Sequence, residues 1–232
     1  MALTMSTNHI VTKSNALIDA RYRLNVQAQR LLLCCIGKID GRKEIPRESV
    51  LTADEFAEMT GIPLNDAYKE LYQAADKLFN ASIKLIEDGD EVEIHWVQEK
   101  AKKLKGQGQV RLVWSDRVRR YLGELEANFT QYKLKSVASL QSAHSIRLYE
   151  LLMRFQDKGW RSISLADFKD SLGLGDAYPE FRIFNRDVLK PALREINTHS
   201  DITVKVENLK EGRRIVGFKF RFIENKQLKF KV

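Results

Sequence analysis

The chain has 232 residues, 44% hydrophobic and 30% charged, and its basic residues outnumber its acidic ones by 39 to 31. That length supports one large core or two small ones, and charge so interspersed belongs to a globular chain and excludes a disordered one. No apolar run approaches a membrane span, and the N-terminus lacks the basic and apolar regions of a signal peptide. The two cysteines, Cys34 and Cys35, are adjacent in an apolar run, which offers neither a disulfide framework nor a metal-ligand spacing. The expected setting is a reducing cytoplasm, with no cofactor, no metal and no membrane partner.

Residues 1–14 are polar. A helical pattern then runs from about Ala28 to Ile39 through Leu31, Leu32, Cys35 and Ile36, and stops at Asp40-Gly41. Leu17, Leu24 and Leu31 fall seven apart, a short heptad that fits either ordinary helix packing or a dimerisation stripe.

The informative feature is an internal repeat. Residues 51–62 read LTADEFAEMTGI and residues 163–174 read ISLADFKDSLGL. In both, an aliphatic residue (Leu51, Ile163) precedes a Phe by five positions (Phe56, Phe168), a Gly follows five later (Gly61, Gly173), and an Ala-Tyr pair comes soon after. Each copy then enters a longer helical pattern: Ala67, Leu71, Ala74, Ala75 and Leu78 in the first, Phe181, Phe184, Val188, Leu189, Ala192, Leu193 and Ile196 in the second. Pro191 is expected to kink or split the second helix.

After each long helix the period switches to two. Ile83 and Leu85, a turn at Asp88-Gly89-Asp90, and Val92, Ile94 and Trp96 read as a hairpin. So do Ile202, Val204 and Val206, a turn around Lys210–Arg213, and Ile215, Phe218, Phe220 and Phe222. A short helix, a glycine turn, a longer helix and a hairpin is the plan of a winged helix-turn-helix. The predicted fold is therefore α+β, two tandem winged helix-turn-helix domains over residues 1–130 and 131–232, the second led by a helix over 142–157.

Charge separates the two halves. Residues 1–130 hold 19 Lys/Arg against 19 Asp/Glu, whereas residues 131–232 hold 20 against 12. A surplus gathered in one domain suits a polyanionic partner, and helix-turn-helix domains read double-stranded DNA with their second helix in the major groove. In the second copy that helix offers Arg182, Asn185, Arg186 and Lys190 as base readers, with Arg194 further along for the backbone. Arginine grips guanine O6 and N7 in bidentate fashion, and asparagine does the same for adenine N6 and N7. The equivalent first helix mixes Lys69 and Lys77 with Asp66, Glu70 and Asp76, which points to backbone contact rather than base reading. Further backbone candidates are Lys100, Lys102, Lys103, Lys105, Arg117, Arg119 and Arg120, in a stretch whose one acid is Asp116, and Lys210, Arg213, Arg214 and Lys219 on the second hairpin.

Enzyme readings find little support. Gly106-Gln107-Gly108 lacks the strand-loop-helix context of a phosphate loop, and His9, His95, His144 and His199 are scattered. Tyr121, Tyr149 and the other tyrosines lack the neighbours that activate a nucleophile.

The chain resembles the iteron-binding plasmid replication initiators of Gram-negative bacteria, a family with two winged-helix domains in tandem. The likeness lies in Val11-Thr12-Lys13-Ser14-Asn15-Ala16-Leu17, Tyr22-Arg23-Leu24, Gln29-Arg30-Leu31 and Tyr149-Glu150-Leu151-Leu152, and above all in Phe184–Ala192 followed by Glu195-Ile196-Asn197. That resemblance implies monomers that bind repeated origin sites, help open adjacent A·T-rich DNA, and recruit a host initiation protein and the replicative helicase. It also implies a homodimer that binds an inverted repeat and represses its own gene, with host chaperones shifting dimer to monomer. In the family the C-terminal domain is the main reader. The N-terminal domain serves dimerisation or backbone contact, and the leucine heptad is similar to a stretch tied to dimerisation. A winged-helix transcriptional regulator without a replication role, and a protein-docking module whose charge is incidental, are the alternatives.

Overall fold

The computed structural model describes residues 9–41, 43–103, 106, 108–122 and 128–225. The chain divides into two compact units, Met1–Ser139 and Leu140–Val232.

The first unit is closed by its own ends: β1 (Ile10–Ser14) pairs antiparallel with β7 (Phe129–Lys133). A division at 130 would fall within β7, and the compact unit runs on through α6 (Lys135–Ala138) to Ser139. Between these ends come α1 (Asn15–Asp19) and α2 (Val26–Gly37), each started by a side chain, Ser14 or Asn25, that accepts a first-turn N–H. Every residue of α2 from Ala28 to Ile36 is buried, so this helix is the unit's axis rather than an amphipathic surface helix. Burial pushes the Cys35 thiol up to about 12 and raises the Cys34 thiol well above its ordinary value, as expected of inert packing residues.

Leu17, Leu24 and Leu31 serve ordinary core packing, the first of the two readings that their spacing allowed. Leu17 lies in α1, Leu24 in the segment before α2 and Leu31 within α2, and all three are buried in the unit's core. The Ser14 and Asn25 caps start two separate helices, so no continuous helix carries the heptad.

There follow β2 (Glu48–Thr52), α3 (Ala53–Thr60) and α4 (Leu64–Phe79). Thr52 and Glu55 form a capping box at the start of α3, and Gly61 ends it with a left-handed φ of 73°. Next, β3 (Ser82–Glu87) and β4 (Asp90–His95) form a ribbon closed by Asp88 and Gly89, both at positive φ as a tight hairpin turn requires. This ribbon is not the first unit's wing, contrary to expectation. The wing is the next hairpin, β5 (Val97–Lys102) and β6 (Gln109–Trp114), because β6 pairs with β2 to give the sheet order β2-β6-β5. Gly108 in its loop is set by contact: a β-carbon there would run into the ring of Tyr68 on α4. α5 (Asp116–Leu122) leads back towards β7.

The second unit repeats that plan without the extra ribbon. α7 (Ala143–Met153) precedes β8 (Trp160–Ser164) and α8 (Leu165–Ser171), and Gly173, at φ 67°, stands where Gly61 stands. Then come α9 (Phe181–Phe184), a π-helical turn (Asn185–Leu189) and α10 (Lys190–His199), continuous in right-handed helical backbone. The hairpin of β9 (Ile202–Glu211) and β10 (Arg214–Glu224) completes a sheet of order β8-β10-β9. The alternation along β10 breaks between Ile215 and Gly217, where a bulge shifts the register. A side chain at Gly217 would meet the Ile163 carbonyl at 2.6 Å.

Phe168 on α8 is the centre of this core. Its ring meets Phe184 of α9 edge-on at 6.0 Å, and Phe218 and Phe220 of β10 at 5.5 Å each. One side chain thus joins both helices of the turn to the wing. Behind it, Arg147 and Glu150 of α7 form a buried ion pair at 2.7 Å, and Arg147 also donates to the carbonyl of Ser171, the last residue of α8, at 3.2 Å. Phe168→Ala is expected to destabilise the second unit by about 3–5 kcal/mol in denaturant unfolding, a loss under about 1 kcal/mol being contrary to this assignment.

Candidate nucleic-acid interface

The rod formed by α9, the π turn and α10 shows two faces. Phe184, Val188, Ala192 and Ile196 are buried, while Arg182, Arg186, Lys190 and Arg194 are exposed. Both series step by four residues. In a pure α-helix of 3.6 residues per turn, three such steps would swing a stripe by about 120° around the axis. The π turn holds more residues per turn and counteracts that swing, so the cationic row keeps to one side. Pro191 is the local cause: it has no N–H to offer the carbonyl of Asp187, and its ring would crowd that carbonyl. The N–H of Lys190 reaches back to Asn185 instead, and the predicted kink is absorbed as a widened turn.

Among the described residues, the side chains of Arg182, Lys190 and Arg194 have no ion-pair partner. Arg186 has one, Asp187, which accepts from its Nε at 2.6 Å and from Nη2 at 2.9 Å. Asn185 is half-buried at the edge of the row.

At the end of the β9–β10 hairpin, Gly212 takes a φ of 59° and makes a two-residue turn, leaving Lys210, Arg213 and Arg214 exposed. These three also lack ion-pair partners among the described residues. Lys219 differs: its ammonium lies 5.2 Å from the centre of the Trp160 ring, half-buried, where it shields an apolar surface.

In the first unit the cations of the wing and of α5 are largely matched, whereas those of the long helix are not. Asp76 on α4 accepts from Lys100 and, at 2.6 Å, from Lys102, and these ammonium groups hold its carboxyl below the usual carboxylate range. Lys100 and Lys102 also cover the rings of Phe79 and Tyr72, and the Tyr72 hydroxyl donates to the Lys103 carbonyl at 2.7 Å, so the wing is fastened to α4. Arg111 pairs with Glu48 and Glu99, Arg117 with Glu87, and Arg119 with Glu44. Lys69, Lys77, Lys103 and Arg120 are exposed without ion pairs among the described residues, and Lys105 lies outside them.

Asp76 and Asp187 were not foreseen. Asp76 meets lysines 24 and 26 positions away, a pairing that no local pattern signals. Asp187 adjoins Arg186 in sequence, and neighbours on an ordinary helix do not face each other.

Among the described residues Tyr121 is not placed as an activated nucleophile. The Tyr121 hydroxyl donates to Glu87, and burial together with that carboxylate pushes the phenol up to about 12, away from the ionised form. Among the described residues no three His, Cys, Asp or Glu side chains gather as a metal site would require, and no helix is long and apolar enough to cross a membrane.

Comparison with known proteins matches both units. Residues 10–153 match the family "Initiator Replication protein, WH1" and residues 164–222 match "Initiator Rep protein, WH2". A replication initiation protein of Escherichia coli is 31% identical over 216 residues, covering 88% of this chain and 66% of that protein. The PI protein of Escherichia coli is 25% identical over 247 residues, covering 90% of this chain and 81% of that protein. Among solved structures, the Pi initiator protein in complex with iteron DNA superposes with a TM-score of 0.82 at 24% identity, covering 94% of this chain and 98% of that one. Domains 2 and 3 of RctB superpose more loosely, with a TM-score of 0.51 at 12% identity, covering 92% of this chain and 85% of that one. With two winged-helix units in the order of both family descriptions, the chain belongs to the family of replication initiator proteins built from a WH1 and a WH2 domain.

Proposed function

We propose that this protein initiates plasmid replication by binding repeated double-stranded sites at an origin. In this reading the second unit reads bases through Arg182, Asn185, Arg186 and Lys190 in the major groove. Arg194 and the wing-tip residues Lys210, Arg213 and Arg214 hold the phosphates. Lys219, over Trp160, adds charge near the backbone at shorter reach. The first unit contacts the backbone through Lys69, Lys77 and its wing.

One observation carries this reading: the exposed row of the second unit's long helix and the tip of its wing hold cations that no carboxylate neutralises among the described residues, Arg186 excepted. Unmatched cations on two adjoining elements are what phosphate binding uses, through release of condensed counterions. The iteron complex of the fold relative supports the class of partner.

Opening of the A·T-rich stretch, helicase recruitment and autorepression as a homodimer extend the reading along the family resemblance. A repressor dimer needs a surface other than Leu17, Leu24 and Leu31 as they sit here, since all three are spent in the core.

Selection from random duplexes by the purified chain at about 0.15 M salt is expected to enrich one motif that recurs in tandem beside the gene. Retention of DNA with no enriched motif, or a motif present only as one inverted repeat, would overturn the initiator reading. Replacing Arg186 by Ala is expected to cost about 1–3 kcal/mol of discrimination at one base pair. Replacing Lys210, Arg213 and Arg214 together should instead weaken all duplexes alike and lower the slope of log K against log salt by about 0.9 for each phosphate no longer neutralised. Asp76→Asn frees Lys100 and Lys102, so the slope should steepen by about 1–2 with the motif unchanged. An unchanged slope would remove the first unit's wing from the DNA interface.

A further inference from the structure

Arg186 differs from the other cations of its row in being paired. The carboxylate of Asp187 meets it fork to fork, Nε to Oδ1 at 2.6 Å and Nη2 to Oδ2 at 2.9 Å. Both groups are well exposed, the Arg186 side chain at 71% and that of Asp187 at 37%. Among the described residues Asp187 makes no other side-chain bond, so the carboxylate caps no helix and joins no second element. It is also the one acidic residue between Phe181 and Arg194. For phosphate binding alone, a carboxylate there is a loss, because it cancels one charge on the face that meets DNA.

The edge of the guanidinium that Asp187 occupies explains its place. A bidentate grip on guanine O6 and N7 needs two N–H groups side by side. Asp187 takes the edge formed by Nε and Nη2, which leaves the end-on pair, one proton of Nη1 and the second of Nη2, unengaged by it. The π turn assists, since Arg186 and Asp187 both lie within it. With more residues per turn, successive side chains are rotated less from one another than on an α-helix, and neighbours that would normally diverge come together.

We propose that Asp187 is a positioning residue that holds Arg186 end-on towards one guanine, so that it sets the specificity of the second unit rather than its affinity. This rests on the reading of the long second-unit helix as the base reader. A long flexible side chain fixed before binding loses less freedom when it docks, and it presents its fork at one height in the groove. The same carboxylate repels phosphate oxygens, which discourages Arg186 from settling on the backbone at unrelated sequences.

The test uses the full chain and the selected duplex, together with duplexes carrying each other base pair at the position where Arg186→Ala loses discrimination. Asp187→Ala is expected to reduce discrimination at that position by about tenfold. Binding to random duplexes should hold or tighten, and the salt slope should not fall, because the change adds a net positive charge. Asp187→Asn, which keeps one acceptor oxygen, should retain part of the discrimination. If Asp187→Ala keeps wild-type discrimination, or weakens every duplex in parallel, the positioning role is wrong while the reader stands. If Arg186→Ala itself shows no position-specific loss, the reading of the helix fails first. Both residues are exposed, and an unchanged unfolding midpoint for each variant separates these outcomes from misfolding.

Discussion

The packing of Phe168 against Phe184, Phe218 and Phe220 is the constraint on which the second unit depends. A helix-turn-helix presents side chains usefully only if its second helix is held at a fixed depth and angle, and a helix makes its backbone hydrogen bonds within itself. Its place therefore comes from burial of one face. Phe184 enters the aromatic cluster, and Val188, Ala192 and Ile196 continue the same contact down the rod. The wing is fixed by the same rings, so the two elements proposed to touch DNA share one support.

The two units carry similar folds and differ in how the charge of their wings is matched. In the first, carboxylates on neighbouring elements absorb the cations: Asp76 on α4 joins Lys100 and Lys102 on β5, and Glu48 and Glu99 flank Arg111. Exposed pairs of this kind contribute little to stability singly, but they quiet the surface field and stiffen the wing against α4. The second unit leaves Arg182, Lys190, Arg194 and the wing tip unmatched among the described residues. That difference, more than net charge, motivates assigning base reading to one unit and backbone contact to the other. Asp76 also ties the first unit's wing to pH. Its carboxyl is held below the ordinary range, so the clamp is complete above the usual carboxylate pKa and is lost only as pH falls through the lowered value.

Much of this architecture was legible because it was written twice. The matched Phe56 and Phe168, Gly61 and Gly173, and the change of period after each long helix are local signals that mark the helices and the presence of hairpins after them. What was not legible shares a cause. Val92, Ile94 and Trp96 alternate as well as any wing, but which hairpin joins the sheet depends on pairing with β2, far earlier in the chain, and periodicity carries no partner information. The leucine heptad left two readings open because spacing alone does not show that Ser14 and Asn25 start separate helices within it. The exposed cationic row was legible from its four-residue step, whereas Asp187 needed the π turn, and the π turn follows from Pro191 only once the helix is known to continue through it.

The most direct test of the central claim marks the atom that the arginine is proposed to grip. Methylation of guanine N7 in the selected duplex, followed by separation of bound from free DNA, shows which guanines the protein must reach in the major groove. The account predicts strong interference at guanines within the motif, with one of them becoming indifferent to methylation when Arg186 is replaced by Ala. Binding that ignores N7 methylation throughout the motif, in the wild-type chain, would contradict it and would place recognition in the backbone or the minor groove.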